Sequence, residues 1–301
     1  MFEEKAGWGE AAPPRPPGDL NEAAIKASPF ICGGRPSCTQ AGATGTVPPA
    51  LLLCFCFAGP FLWHLDPSAL NVDHPLSPPS LAHLLGTDDL GRDQLARLMQ
   101  GGASTLLVAL PAAAIALALG AFYGLAAGLS PAWLDRLLMR LLDAVLALPM
   151  LLVLLCLASL VPVSTATLIG LIGVVAWPYL ARLVRTETVA LRDRPYVQVA
   201  RQLGAGPAYI ARRHLLPGMA RLLAVQAIFL VGDAILALSA LSFLGLGVPP
   251  PAASWGQMLQ SGLGLIDLGA WWLTLPPGLL IVASLWATAS LGRSVLARQA
   301  A

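Results

Sequence analysis

Apolar and polar positions divide the chain into long charge-free blocks separated by polar segments. No Asp, Glu, Lys or Arg occurs in 98–134, in 144–181 or in 268–292. A bilayer core takes about 20 apolar residues per helix, and a charge at its centre costs about 3 kcal/mol. These blocks therefore predict an all-α integral membrane protein with about six transmembrane helices. The pattern places spans near 47–63, 104–129, 222–246 and 270–291, and two more within 144–181. That last block is too long for one helix at about 1.5 Å per residue. Its break is expected at 161–165, where Pro162 stands beside Ser164 and Thr165. The first span is short and is interrupted by Pro48, Pro49 and Pro60. Pro111 inside the second is tolerable, because neighbouring helices can satisfy a freed backbone group.

Composition supports this reading. The 301 residues are 56% apolar and 11% charged, against about 25% charged in soluble domains. Residues 1–46 differ in kind, being rich in Pro, Gly and charge, and read as a disordered tail. The five cysteines, Cys32, Cys38, Cys54, Cys56 and Cys156, form no CxxC pair and read as small apolar fillers.

Net charge is only +2, but its distribution decides orientation. With the N-terminus inside, 16 of the 18 Lys and Arg residues fall in inside segments, leaving Arg92 and Arg97 outside. Basic residues concentrate on the cytoplasmic side, so both termini are expected there. The outside segment, 64–102, then carries five acids, and the inside segment, 182–221, is the longest polar stretch between spans. A connection of that length is expected to have structure and a task of its own.

In that inside segment two short helical patterns flank Gly204–Pro207. Gly204 suits a left-handed helix end, and Pro207 suits a first turn. Val197, Ala200 and Leu203 share one face of the first helix, and Ile210, Leu215 and Leu216 continue on the second. The pattern alone fits either an amphipathic surface helix or a docking element for a cytoplasmic partner. Outside, Asp88 and Arg92 are spaced as an i, i+4 pair on one helical face. They would either cap the second span or contact an outside partner. Gly245, Gly247 and Pro249–Pro251 stop the fifth span, after which Trp255, Trp271 and Trp272 are placed for an interfacial aromatic belt. Asp233 is the one acid deep in a span, and an intramembrane carboxylate is a functional candidate. It would line a pathway, or bond a neighbour such as Gln226. His64, His74 and His83 read as solvated loop residues.

Three segments carry a family resemblance. Gln198-Val-Ala200, then Gly204-Ala205, then His214-Leu-Leu-Pro217 resemble the signature loop of binding-protein-dependent importer permeases, roughly E-A-A-x3-G-x9-I-x-L-P. Gln198 stands where that pattern has Glu, and Gly218 where it has Asn. Gly86-Thr-Asp88-Asp-Leu-Gly91-Arg92-Asp93 resembles the G-T-D-x-x-G-R-D element of the dipeptide/oligopeptide/nickel branch. Leu241-Ser-Phe-Leu-Gly245-Leu-Gly247, with Trp255-Gly256, resembles that branch's L-S-F-L-G-L-G…W-G element. The three lie in family order between Leu85 and Gly256.

The resemblance implies the type I importer permease fold, with a permease domain over 104–301 preceded by a first span and extracytoplasmic segment over 47–103. It implies that the inside loop couples to an ATPase. It further implies a second permease subunit, two ATP-binding cassette subunits, an extracytoplasmic solute-binding protein and the lipid bilayer as partners, with no nucleic acid and no cofactor in this chain. Cargo would be di- or oligopeptides. A nickel complex is the alternative, because the acid often preceding L-S-F is replaced by Leu238. The location implied is a bacterial or archaeal cytoplasmic membrane, and the permease pair would be a heterodimer or a homodimer.

Other chemistry lacks its residues. A phosphate-binding loop needs a lysine, and the only lysines are Lys5 and Lys26, in the tail. No HExxH or GxSG is present, and Asp233 has no deep acidic partner for aspartyl proteolysis, since Asp143 lies at a span edge. A secondary transporter or channel has no need of the structured inside loop.

Overall fold

A computed structural model of the chain describes residues 47–59, 66–67, 69–71 and 74–300. The expected tail, and the end of the first expected span, lie outside the described residues. Those described form helices and loops, with one isolated antiparallel bridge between Thr87 and Asp93. Helix α1, Val47–Leu53, continues through a wide π turn, Cys54–Ala58. Then come α2, Gln94–Leu129; α3, Ala132–Leu146; α4, Met150–Leu160; and α5, Thr165–Arg192. Short α6, Pro195–Gln202, precedes α7, Pro207–Ile210. The latter runs through a second π turn, Ala211–Leu215, into α8, Leu216–Phe243. Helix α9, Trp255–Leu263, and α10, Trp271–Ala300, complete the bundle.

Among the described residues, four runs are long and apolar enough to cross a membrane: Gln94–Leu129, Thr165–Arg192, Pro207–Phe243 and Trp271–Ala297. Helices α3 and α4 are long and apolar enough only when taken as a pair, which is bent by 80°. The bend falls at Pro149, which caps α4 and pushes Leu148 away from helical geometry. The expected break at 161–165 is present, and Ser164 caps α5 by accepting from Thr167 N. The first expected span is the weakest. The apolar helix Pro48–Ala58 reaches roughly half of the ~30 Å hydrocarbon thickness.

Two spans begin earlier than the apolar pattern suggests. Helix α2 starts at Gln94 because Asp93 caps it, its Oδ1 accepting from Ala96 N at 2.8 Å. The fifth expected span begins at Pro207, since α7 runs unbroken into α8. Pro217 has no N–H and would clash with the carbonyl four residues back in a regular helix. The π turn just before it opens the spacing, and Leu216 N–H reaches back to Ala211 O.

The most extensive helix–helix contact joins α2 to α5. It rests on a stripe of glycines four residues apart. A Cβ on Gly120 would lie 2.8 Å from the Leu180 side chain, on Gly124 2.6 Å from Ala181 O, and on Gly128 2.5 Å from the Thr188 methyl. Small residues at this spacing let two backbones approach and gain van der Waals contact without a hydrophobic driving force. Polar ties lock α3 beneath this pair. Arg185 grips both oxygens of Asp135, Arg182 pairs with Asp143, and Tyr123 Oη donates to Leu138 O at 2.9 Å. Arg192 Nη1 donates to Gly128 O at 2.7 Å, closing the end of α5 onto the end of α2.

Candidate functional site

The resembling segments lie at opposite ends of the bundle. One end carries α6 and α7. Helix α6 stops in a paired-bond turn: Ala205 N donates to Ala200 O and Gly204 N to Arg201 O, both at 3.0 Å. Gly204 takes φ +86, the left-handed position that this turn requires. Pro207 opens α7, and Ile210 N closes the first turn on Gly206 O at 3.0 Å. The expected helix–Gly–Pro–helix unit is therefore present.

The bundle holds this unit from above. Val197, Ile210 and Leu215 are fully buried and join Leu180, Val184 and Met219 in one apolar cluster. His214 is half-buried between two rings, 6.0 Å from Tyr196 and 5.9 Å from Tyr209, and so bridges the two halves of the loop. Its neighbour Pro217 is exposed on the π-turn side. Gln198 donates to Asp193 O at 3.1 Å. A glutamate carboxylate, which only accepts, could not make that bond.

Leu203 departs from expectation. It does not pack with Val197 but stands 83% exposed at the tip. Helix α6 ends one residue earlier, and the reversal at Gly204 swings Leu203 outward. Tyr196, Val199 and Tyr209 are also exposed, so the loop presents an apolar knob on a rigid mount. Beside it an open concavity of about 500 Å³ is lined by Ala200, Gly204, Ala205 and His214.

At the other end, 86–93 forms a self-tied turn rather than a helix. Asp88 and Arg92 do pair, but across the turn. Asp88 Oδ1 accepts from Leu90 N at 2.9 Å and Arg92 N at 2.8 Å. Its Oδ2 accepts from Arg92 Nε at 2.6 Å and Arg97 Nη1 at 2.8 Å. The buried carboxylate thus has four donors, the condition under which a buried ion is tolerated. Asp93 caps α2 with one oxygen and meets His83 Nδ1 at 2.9 Å with the other. His83 is consequently part of this turn, not the solvated residue expected. His64 lies outside the described residues. Gly86 and Gly91 both take φ +72. Thr87 Oγ1 donates to His74 O and accepts from Ser77 N, tying the turn to the preceding loop.

Two of the three expected belt tryptophans are internal struts. Trp255 is fully buried over Gly101 and Gly102, where an added Cβ would come 3.3 and 2.7 Å from its ring, and Nε1 donates to Leu98 O at 2.9 Å. Trp272 is 8% exposed, fits the space left by Gly86 and donates to Thr87 O at 3.2 Å. Trp271 alone, 51% exposed, suits an interfacial belt. The L-S-F-L-G-L-G element ends α8 with the same paired-bond turn as α6: Leu246 N donates to Leu241 O at 2.9 Å, Gly245 N to Ser242 O at 3.1 Å, and Gly245 has φ +83.

Asp233 lies midway along α8 on the outward surface, with Phe229 and Leu236 on the same exposed face. Gln226 makes no hydrogen bond to it, and no other described residue pairs with it. Cys56 is buried and free, as expected of a filler.

Comparison with known proteins bears on all of this. The model of the family described as "Binding-protein-dependent transport system inner membrane component" matches residues 120–298. A protein of Brucella suis biovar 1 named as a peptide permease is 39% identical over 223 residues, 73% of this chain and 72% of its own. A second B. suis protein, named as a peptide transport system permease, is 39% identical over 229 residues, 75% of each chain. The di/tripeptide transport system permease protein DppC of Pseudomonas aeruginosa is 39% identical over 258 residues, 83% of this chain and 85% of its own.

Proposed function

Because the chain belongs to the family of binding-protein-dependent transport system inner membrane components, we infer that it conducts di- or oligopeptides across the cytoplasmic membrane, driven by ATP that a partner hydrolyses. It is a transport permease subunit and not an enzyme, with the type I importer permease fold. The observation that carries the finer reading is the rigid apolar knob at Leu203–Gly204 in a chain with no phosphate-binding lysine. A surface that must pass a push to the spans has to be stiff, and this one is joined to α8 without a flexible hinge. Its role is to seat in a groove of an ATPase subunit through Gln198, Ala200, Gly204, Ala205, His214 and Pro217. The full assembly has two ATPases, a second permease and an extracytoplasmic binding protein. Peptide cargo is supported by the relatives' names. The nickel alternative rests on Leu238, which is fully buried in the bundle core and thus speaks for packing.

The loop end is assigned to the cytoplasm and the 86–93 turn to the outside, as the distribution of basic residues favours. There the turn docks the extracytoplasmic partner through exposed Asp89 and braces α2, with Gly86, Asp88, Gly91, Arg92 and Asp93 holding its shape. A cysteine placed at Gly264 should react with a membrane-impermeant thiol reagent from outside, and one at Ala208 should not. The reverse labelling would overturn both the orientation and the ATPase-docking role. Affinity purification of the native complex tests the rest, since it should carry an ATPase with it.

Asp233 is assigned to the pathway between the two permeases. It faces away from its own bundle, and a carboxylate facing hydrocarbon would be costly. Asp233→Leu should insert at normal abundance and lose most import. Import at the wild-type rate would remove Asp233 from the pathway.

A further inference from the structure

Beneath the chain joining α8 to α9, at the end opposite the coupling loop, lies a half-open cleft of about 350 Å³. Ser242 reaches it from the last turn of α8, and Gln257 and Gln260 from α9. Its volume falls in the range of small-molecule sites. Its lining contains no ionisable side chain.

Four buried side-chain atoms have no hydrogen-bond partner among the described residues, Ser239 Oγ, Ser242 Oγ, Gln257 Oε1 and Thr274 Oγ1, and two of them belong to residues that line this one cleft. Ser242 Oγ belongs to a residue 1% exposed, and Gln257 Oε1 is likewise shielded; neither has a hydrogen-bond partner among the described residues. Other buried hydroxyls of the bundle bond locally. Thr105 Oγ1 returns to Gly101 O at 2.6 Å, and Thr188 Oγ1 to Val184 O at 2.7 Å. Ser242 makes no such bond, although it too sits in a helix. Gly247 packs directly on this serine, since a Cβ at that position would come within 2.2 Å of Oγ. Leaving a buried polar group unpaired is unfavourable, so two in one cleft mark a surface that another molecule completes.

We propose that this cleft holds the backbone of a peptide in transit, Gln257 Oε1 accepting a peptide N–H and the Ser242 hydroxyl pairing with a peptide carbonyl. The proposal rests on the peptide reading above and adds the group that is recognised. A backbone amide supplies one donor and one acceptor whatever the side chain. A lining without charge makes no distinction among acidic, basic and neutral residues. An uncharged hydroxyl-and-amide pair is therefore the chemistry expected where many peptide sequences share one path.

The test uses the complete importer in proteoliposomes, with its ATPases and binding protein, and two probes: trialanine and its backbone N-methylated analogue. The wild type and Gln257→Met are compared by the ratio of the two import rates, so that any preference of the binding protein cancels. Loss of one hydrogen bond should shrink that ratio by about five- to tenfold in Gln257→Met. Ser242→Ala removes a buried unpaired group, so it should leave thermal stability equal or higher while slowing import of both probes. An unchanged ratio in Gln257→Met, with peptide import intact, overturns the cleft and leaves the peptide reading standing. Loss of abundance in both variants overturns it as well, by making the groups structural. A wild-type importer that moves neither probe overturns the peptide reading itself, and the cleft's role with it.

Discussion

Gly91→Ala should nearly abolish accumulation of the chain in the membrane, although the change adds one methyl group. At φ +72 a side chain costs about 1–2 kcal/mol. The larger cost is steric. The added Cβ would sit 1.7 Å from the carbonyl oxygen of Asn71, a backbone atom that cannot rotate away. Either the 69–71 segment leaves or the 86–93 turn opens. Opening removes the Asn71 N to Leu90 O bond and pulls Leu90 N and Arg92 N from Asp88. A buried carboxylate stripped of donors costs about 3–5 kcal/mol, a large share of the ~5–15 kcal/mol that holds a domain together. The turn also caps α2 through Asp93, so the damage reaches the span Gln94–Leu129. The measurement is the amount of chain in membrane fractions, with the melting midpoint in detergent for whatever survives. Gly204→Ala is the control: its φ of +86 carries the same backbone cost, but nothing lies within 4 Å of the added atom. It should accumulate normally. Equal abundance and melting for Gly91→Ala and the wild type would mean that the turn does not close on Asn71.

The contrast between these two glycines shows what was legible before the structure. Gly204 announced itself through neighbours in sequence: a helical pattern before it and Pro207 after it. A side chain at Gly91 would collide with Asn71, a residue that sequence patterns leave unpaired with it. The same division runs through the bundle. Charge-free blocks, the break at 161–165 and the stop at Gly245 depend on local composition, and they were readable. Burial of Trp255 and Trp272 depends on slots made by Gly101, Gly102 and Gly86, which lie far away along the chain. Aromatic residues near span ends were therefore placed in a belt although two of them are struts. The glycine stripe at 120, 124 and 128 was available as a spacing, and its four-residue period is the signal that would have found the α2–α5 contact. Asp135 and Asp143 were readable only as charges beside a span. Their partners, Arg185 and Arg182, come from another helix and also count toward the basic excess that sets orientation.

Gly204→Asp should give an inserted, normally abundant chain that fails to import. Within the chain the change is nearly free of collision, since no atom lies within 4 Å of the new Cβ. The spans fold without this turn, and Val197, Ile210 and Leu215 keep their places in the apolar cluster. The remaining internal cost is the left-handed backbone, which Asp and Asn tolerate better than most residues. What changes is the outer surface. Leu203 and Gly204 form the tip, and a charged side chain there must be desolvated inside any groove that receives it. A tip held away from its groove cannot pass on closure of the ATPases. In reconstituted complexes, ATP hydrolysis should therefore stop responding to loaded binding protein, and import should fall to background. Gly204→Asn separates shape from charge, because it adds nearly the same volume without the charge. Loss of coupling in both variants identifies fit as the cause, and loss in the aspartate variant alone identifies desolvation. Full import with full ATPase stimulation in Gly204→Asp would remove the coupling role from this loop.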